Sequence, residues 1–123
     1  MNQTIYESED LVSLIVQGME DKKGKDIVVL DLQDIDHAIT NYFVICHGTS
    51  KPQLEAIAEA IIERSLKGLG AKPWHKEGFE NAEWILLDYV DVVVHIFRND
   101  RREFYQLDKL WADAPAVHHK YKE

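Results

Sequence analysis

Two nearly continuous apolar runs, residues 83–88 and 91–98, are separated only by Tyr89 and Val90. An interval that short leaves no room for a crossover, so the runs predict an antiparallel hairpin at the centre of a sheet. With a two-residue turn at Tyr89 and Val90, Asp88 pairs with Asp91, Leu86 with Val93 and Trp84 with His95. Alternation then places Trp84, Leu86, Asp88, His95 and Phe97 on one surface and Ile85, Leu87, Val92, Val94 and Ile96 on the other. The second set is core. The first, with a tryptophan, a histidine and a carboxylate, makes an apolar patch with polar handles.

The rest of the chain supplies layers for that sheet. Over residues 8–22, Leu11, Leu14, Ile15 and Met19 recur at helical spacing opposite Glu9, Asp10, Ser13, Gln17 and Glu20. Residues 26–33 and 42–47 have the β-branched density of buried strands, joined through the turn-like Asp34-Ile35-Asp36-His37. Gly48-Thr49-Ser50-Lys51-Pro52-Gln53 predicts the start of a second helix, with Ser50 as cap, Pro52 in the first turn and Gln53 three residues after the cap. Its stripe is Leu54, Ile57, Ala58, Ile61, Ser65 and Leu66, and Gly68 and Gly70 mark its exit. Residues 71–75 suit a short edge strand because Pro73 cannot donate to a ladder, and residues 77–81 form a loop. Asp100 and Glu103 offer a capping box for a last helix with Phe104, Leu107, Leu110 and Trp111 on its apolar side. The expected class is α/β, an α+β sandwich in the order αββαβββα, with helices covering a mixed sheet of about five strands. Residues 1–114 make one domain and residues 115–123 a flexible tail.

A chain of 123 residues fits one domain, and 46% hydrophobic residues suffice for a core. No apolar run reaches the roughly 18–20 residues of a membrane span, and no secretory signal precedes the domain. Cys46, the single cysteine, has no disulfide partner within the chain and suits a reducing compartment, so a cytoplasmic protein is expected. The net charge of −8 works against direct nucleic-acid binding and favours a basic protein partner.

His95 reads as a partly buried histidine bonded to Asp88 or to a carbonyl, with binding or catalysis as the other role. Trp74, beside His75, Lys76 and Glu77, is balanced between packing and an interface anchor. Six histidines are present, but no HxH, HExxH or CxxC spacing gathers them, so neither metal nor cofactor is expected. Cys46, between Ile45 and His47 in a strand, reads as a small hydrophobe. The enzyme alternative is a magnesium-dependent nucleotide-binding or nucleotidyltransferase-like protein with phosphate at Gly48-Thr49-Ser50. Such an enzyme needs a carboxylate pair on the strand after the second helix, where residues 71–75 have none.

The fragments Asp26-Ile27-Val28-Val29-Leu30-Asp31, Asn41-Tyr42-Phe43-Val44-Ile45, Trp74-His75-Lys76-Glu77-Gly78, Trp84-Ile85-Leu86-Leu87-Asp88-Tyr89, Val92-Val93-Val94-His95-Ile96-Phe97 and Arg102-Glu103-Phe104-Tyr105-Gln106-Leu107, in this order and spacing, resemble the ribosomal silencing factor (Iojap-like) family over about residues 11–114. The resemblance implies a domain distantly like the nucleotidyltransferase fold without its catalytic carboxylates, commonly dimeric and not an enzyme. It also implies binding to large-subunit ribosomal protein number fourteen in the universal naming. Bound there, such a factor blocks joining of the small subunit and represses translation when nutrients are scarce. The positions matching the family's characteristic surface are Trp74, Glu77, Gly78, Trp84, Asp88, His95, Phe97, Arg102 and Tyr105. The chain departs from many relatives at Val90, where they carry glycine, and valine resists the positive φ of a tight primed turn.

Overall fold

The computed structural model describes residues 6–98 and the strand at 116–119. The order is α1 (Ser8–Asp21), β1 (Lys25–Asp31), β2 (Tyr42–Gly48), α2 (Lys51–Leu69), β3 (His75–Glu77), β4 (Trp84–Asp88), β5 (Val92–Arg98) and β6 (Ala116–His119). The strands form one mixed sheet in the order β3-β4-β5-β2-β1-β6, parallel at the central β2–β5 pair and antiparallel elsewhere. The α+β class and an antiparallel β4–β5 hairpin are as expected, while the sheet has six strands rather than about five and its middle pair is β5–β2. The extra one comes from the stretch read as a loose tail, where Ala116–His119 pairs with β1 from Ile27 to Leu30. The last helix expected from Asp100 and Glu103 lies outside the described residues.

Both helices cover one face of the sheet. Val29, Val44, Cys46, Ile85, Leu87, Val92, Val94 and Ile96 pack there against Leu11, Ile15, Met19, Leu54, Ile57 and Ile61. The opposite face has its own buried cluster of Val28, Leu30, Phe43, Ile45, Val93 and Phe97. Burial on both faces explains why these strands read as unbroken apolar runs instead of alternating ones. The helices approach closely at Gly18, where a Cβ would meet the Ile61 backbone at 2.8 Å. Arg64 of α2 fixes the pair from outside through Asp21 (2.6 and 2.9 Å) and Gln17 (2.6 Å).

The start of α2 follows its sequence signature. Ser50 Oγ accepts the Gln53 N–H at 3.2 Å, and Gln53 Oε1 in return accepts the Thr49 N–H at 2.8 Å. The Gln53 amide also donates to the Lys22 and Lys23 carbonyls (3.0 and 3.2 Å), tying this cap to the end of α1. At the other end Gly70, with φ 68, closes α2 in the left-handed conformation. The buried Ser65 hydroxyl bridges the Ala71 carbonyl and the Tyr89 hydroxyl, both at 2.8 Å. Burial pushes that phenol up to about 12.

The hairpin register differs from the expected one. Trp84 pairs with Phe97, Leu86 with His95 and Asp88 with Val93, and Tyr89 N–H donates to the Val92 carbonyl at 2.8 Å. The turn therefore consists of Val90 and Asp91, one residue later than expected, with Val90 at φ 79. Three contacts hold valine in this unfavourable region. Asp88 Oδ1 accepts the Val90 N–H (2.8 Å), Thr40 Oγ1 donates to the Val90 carbonyl (2.9 Å), and the Asn41 N–H donates to the Asp91 carbonyl (3.1 Å). Val90→Gly should therefore raise stability by about 1 kcal/mol by relieving the strain. A urea unfolding midpoint no higher than that of the parent would contradict this.

Candidate functional site

Those residues singled out by sequence that the structure describes lie on or beside the sheet face away from the helices. Paired residues share a face, so Glu77, Leu86, His95, Ile45 and Val28 form one row across it, and Trp84, Phe97 and His47 another. Alternation thus placed Trp84, Leu86, Asp88, His95 and Phe97 together correctly even though the register was displaced.

Trp84 and His95 are diagonal neighbours, and the half-buried indole N–H donates to His95 Nδ1 at 3.0 Å. This is the partner of His95, in place of the expected Asp88 or carbonyl. Asp88 instead spends its carboxylate on the turn. His95 is 4% exposed, with the Phe43 ring edge-on at 4.7 Å and the Phe97 ring stacked at 6.2 Å. Because Nδ1 accepts, the neutral ring carries its proton on Nε2, and that atom has no hydrogen-bond partner among the described residues. Burial pushes the imidazole down to about 4, so it is neutral at physiological pH. Phe97 is 1% exposed. His95 and Phe97 are thus buried beneath the surface rather than displayed on it.

The exposed part of the site is the sheet edge. Trp74 is anchored by its N–H to the Asp88 carbonyl (2.7 Å), yet its side chain is 77% exposed. His75 follows at 6.2 Å ring to ring and meets Glu77 at 3.1 Å, both open to solvent. Lys76 lies over the Phe79 ring at 5.6 Å. Gly78, at φ 91, lets the next loop run against β4, since a Cβ there would overlap the Trp84 carbonyl oxygen. Arg102 and Tyr105 lie outside the described residues. Phe43 belongs to the aromatic cluster but was not singled out. Only the parallel β2–β5 register brings it beside His95, and no local sequence signal encodes that register.

The arrangement offers a rigid aromatic platform ending in an exposed tryptophan and a carboxylate, chemistry suited to anchoring a protein. At Gly48-Thr49-Ser50 the polar groups are engaged in helix capping. Among the described residues no group of three or more His, Cys, Asp or Glu converges as a metal ion requires, and no helix is long and apolar enough to cross a membrane.

Comparison with known proteins agrees with this fold. A ribosomal silencing factor of Halalkalibacterium halodurans is 41% identical over 89% of this chain and 92% of its own length. One of Bacillus subtilis is 40% identical over 89% and 91%. A crystal structure of a protein from Chromobacterium violaceum superposes with a TM-score of 0.80 at 33% identity, covering 87% of this chain and 88% of that one. The family described as "Ribosomal silencing factor during starvation" matches residues 5–123. This chain therefore belongs to the ribosomal silencing factor family.

Proposed function

We propose that this protein binds the large ribosomal subunit through the β3–β4 edge and prevents the small subunit from joining. Its contact there is ribosomal protein number fourteen in the universal naming, and the effect is to lower translation when nutrients are scarce. No covalent chemistry is required, because a bound body of this size excludes a subunit by occupancy. Trp74 is the observation that carries the reading. A tryptophan left 77% exposed beside Glu77, on a protein of net charge −8, provides both parts of a hot spot for a basic protein surface: an aromatic anchor and a complementary charge. The capping bonds that occupy Thr49 and Ser50 favour this reading over phosphate binding at that turn.

Co-sedimentation with isolated large subunits tests it. Trp74→Ala should weaken pelleting by about thirtyfold, the effect of a hot-spot loss near 2 kcal/mol, with an unchanged melting temperature because the ring packs little within the chain. Wild-type protein should pellet with free large subunits and lower the yield of joined ribosomes. Equal pelleting of Trp74→Ala and wild type would remove this edge from the interface. No pelleting of either with any subunit would remove the mechanism.

A further inference from the structure

A second surface lies at the end of the sheet where β1 leaves and β2 enters, beyond the β4–β5 turn from Trp74. Leu32, Ile35, Ala38, Ile39, Val90 and Asp91 line an open cleft of about 320 Å³ there. Gln33, Thr40 and Asn41 complete its lining. Leu32 is buried at 1% exposure, and the apolar surface open to an occupant is that of Ile39 and Val90, 83% and 62% exposed. Val90 keeps its side chain on this wall at φ 79, a strained conformation of the kind that concentrates at binding sites.

The connection from β1 to β2 that supplies most of the lining is acidic. Asp34 and Asp36 are exposed on it, and Asp31 and Asp91 are half-buried, accepting from Gln33 and Ser8 respectively. Residues 26–50 contain no lysine or arginine. The Tyr42 hydroxyl is raised first by burial and then by Asp31 and Glu9, as a negative local potential requires. A second copy of this chain, at net charge −8, would bring the same acids against these, and a phosphate backbone would be repelled. A basic segment with an apolar side chain gains both from these acids and from the exposed Ile39 and Val90.

We propose that this cleft docks a basic protein segment that inserts an apolar side chain between Ile39 and Val90, flanked by lysine or arginine. This contact is separate from the Trp74 edge and does not depend on it.

Amide chemical shifts of the ¹⁵N-labelled full chain, followed during titration with the peptide Ac-Arg-Leu-Lys-Arg-NH2, test the proposal. Saturable shifts confined to Ile39, Thr40, Val90 and Asp91 are expected. Ac-Arg-Ser-Lys-Arg-NH2 should bind about tenfold more weakly through loss of apolar burial, and Ac-Glu-Leu-Asp-Glu-NH2 should produce no shifts. Val90→Gly separates binding from folding: its stability rises while its affinity for the first peptide falls severalfold. Shifts spread over every acidic surface, equal affinity for the leucine and serine peptides, or unchanged affinity of Val90→Gly would each overturn the proposal. So would sedimentation showing self-association that Ile39→Ser abolishes, since the occupant would then be a second copy.

Discussion

Gly78→Ala is expected to destabilise the domain by at least about 3 kcal/mol, beyond the range of ordinary surface substitutions. Two penalties combine. The backbone stands at φ 91, where a side chain is strained by roughly 1–2 kcal/mol. The new Cβ would also overlap the Trp84 carbonyl oxygen and approach the Ile85 Cα to 3.1 Å, so loop and strand must separate. That separation pulls Trp84 from His95 and Phe97, and binding to the large subunit should fall together with the urea midpoint. A variant within about 0.5 kcal/mol of the parent would mean that the loop relaxes without cost and that the close approach to β4 is dispensable.

The second large effect is a loss of stability with acidity. His95 titrates near 4 in the folded chain because burial disfavours its charged form, against 6.5 for the free side chain. Unfolded chains therefore take up the proton first. The contribution is complete above about pH 6.5 and is lost as pH falls from there towards about 4, by about 3 kcal/mol in all. Folding free energies measured across this window should decline more steeply for the wild type than for His95→Leu, which has no ring to protonate. The comparison cancels the carboxylates shared by both chains. Parallel slopes would show that the ring charges in place without disrupting the aromatic cluster.

The faces of the strands were legible in the sequence because a period of two is a property of strand geometry itself. The register was not. Val90 argues against a positive-φ turn position, yet tertiary bonds from Thr40, within two residues of β2, and from Asp88 hold it there, and the turn moves by one residue. The hydrogen-bond partner of His95 is Trp84, now its diagonal neighbour, and not Asp88 or a carbonyl. Composition equally fails to distinguish Trp74 from Phe97. Both are aromatic positions of one matching surface, but one stands just before the edge strand β3 and the other is buried on the interior strand β5, which only the strand order reveals. The need for glycine at 78 was hidden for a related reason, since the atom it avoids belongs to Trp84. Ala116–His119 carries too little apolar pattern to announce a strand, and its pairing with β1 comes from the exposed ladder groups of that edge.

The parallel joining of β2 to β5 at the middle of the sheet has a kinetic consequence. Thr40 and Val90 meet across 50 positions, and Ser8 reaches Asp91 across 83. Contacts this distant along the chain close large loops before any packing rewards them, so the domain should fold slowly for its size. During synthesis the inner edge of β2, from Tyr42 to Gly48, has no strand to pair with until β5 has been made. An incomplete chain ending before Val92 would expose a row of unsatisfied amides and carbonyls flanked by Phe43, Val44 and Ile45, the kind of edge that seeds aggregation.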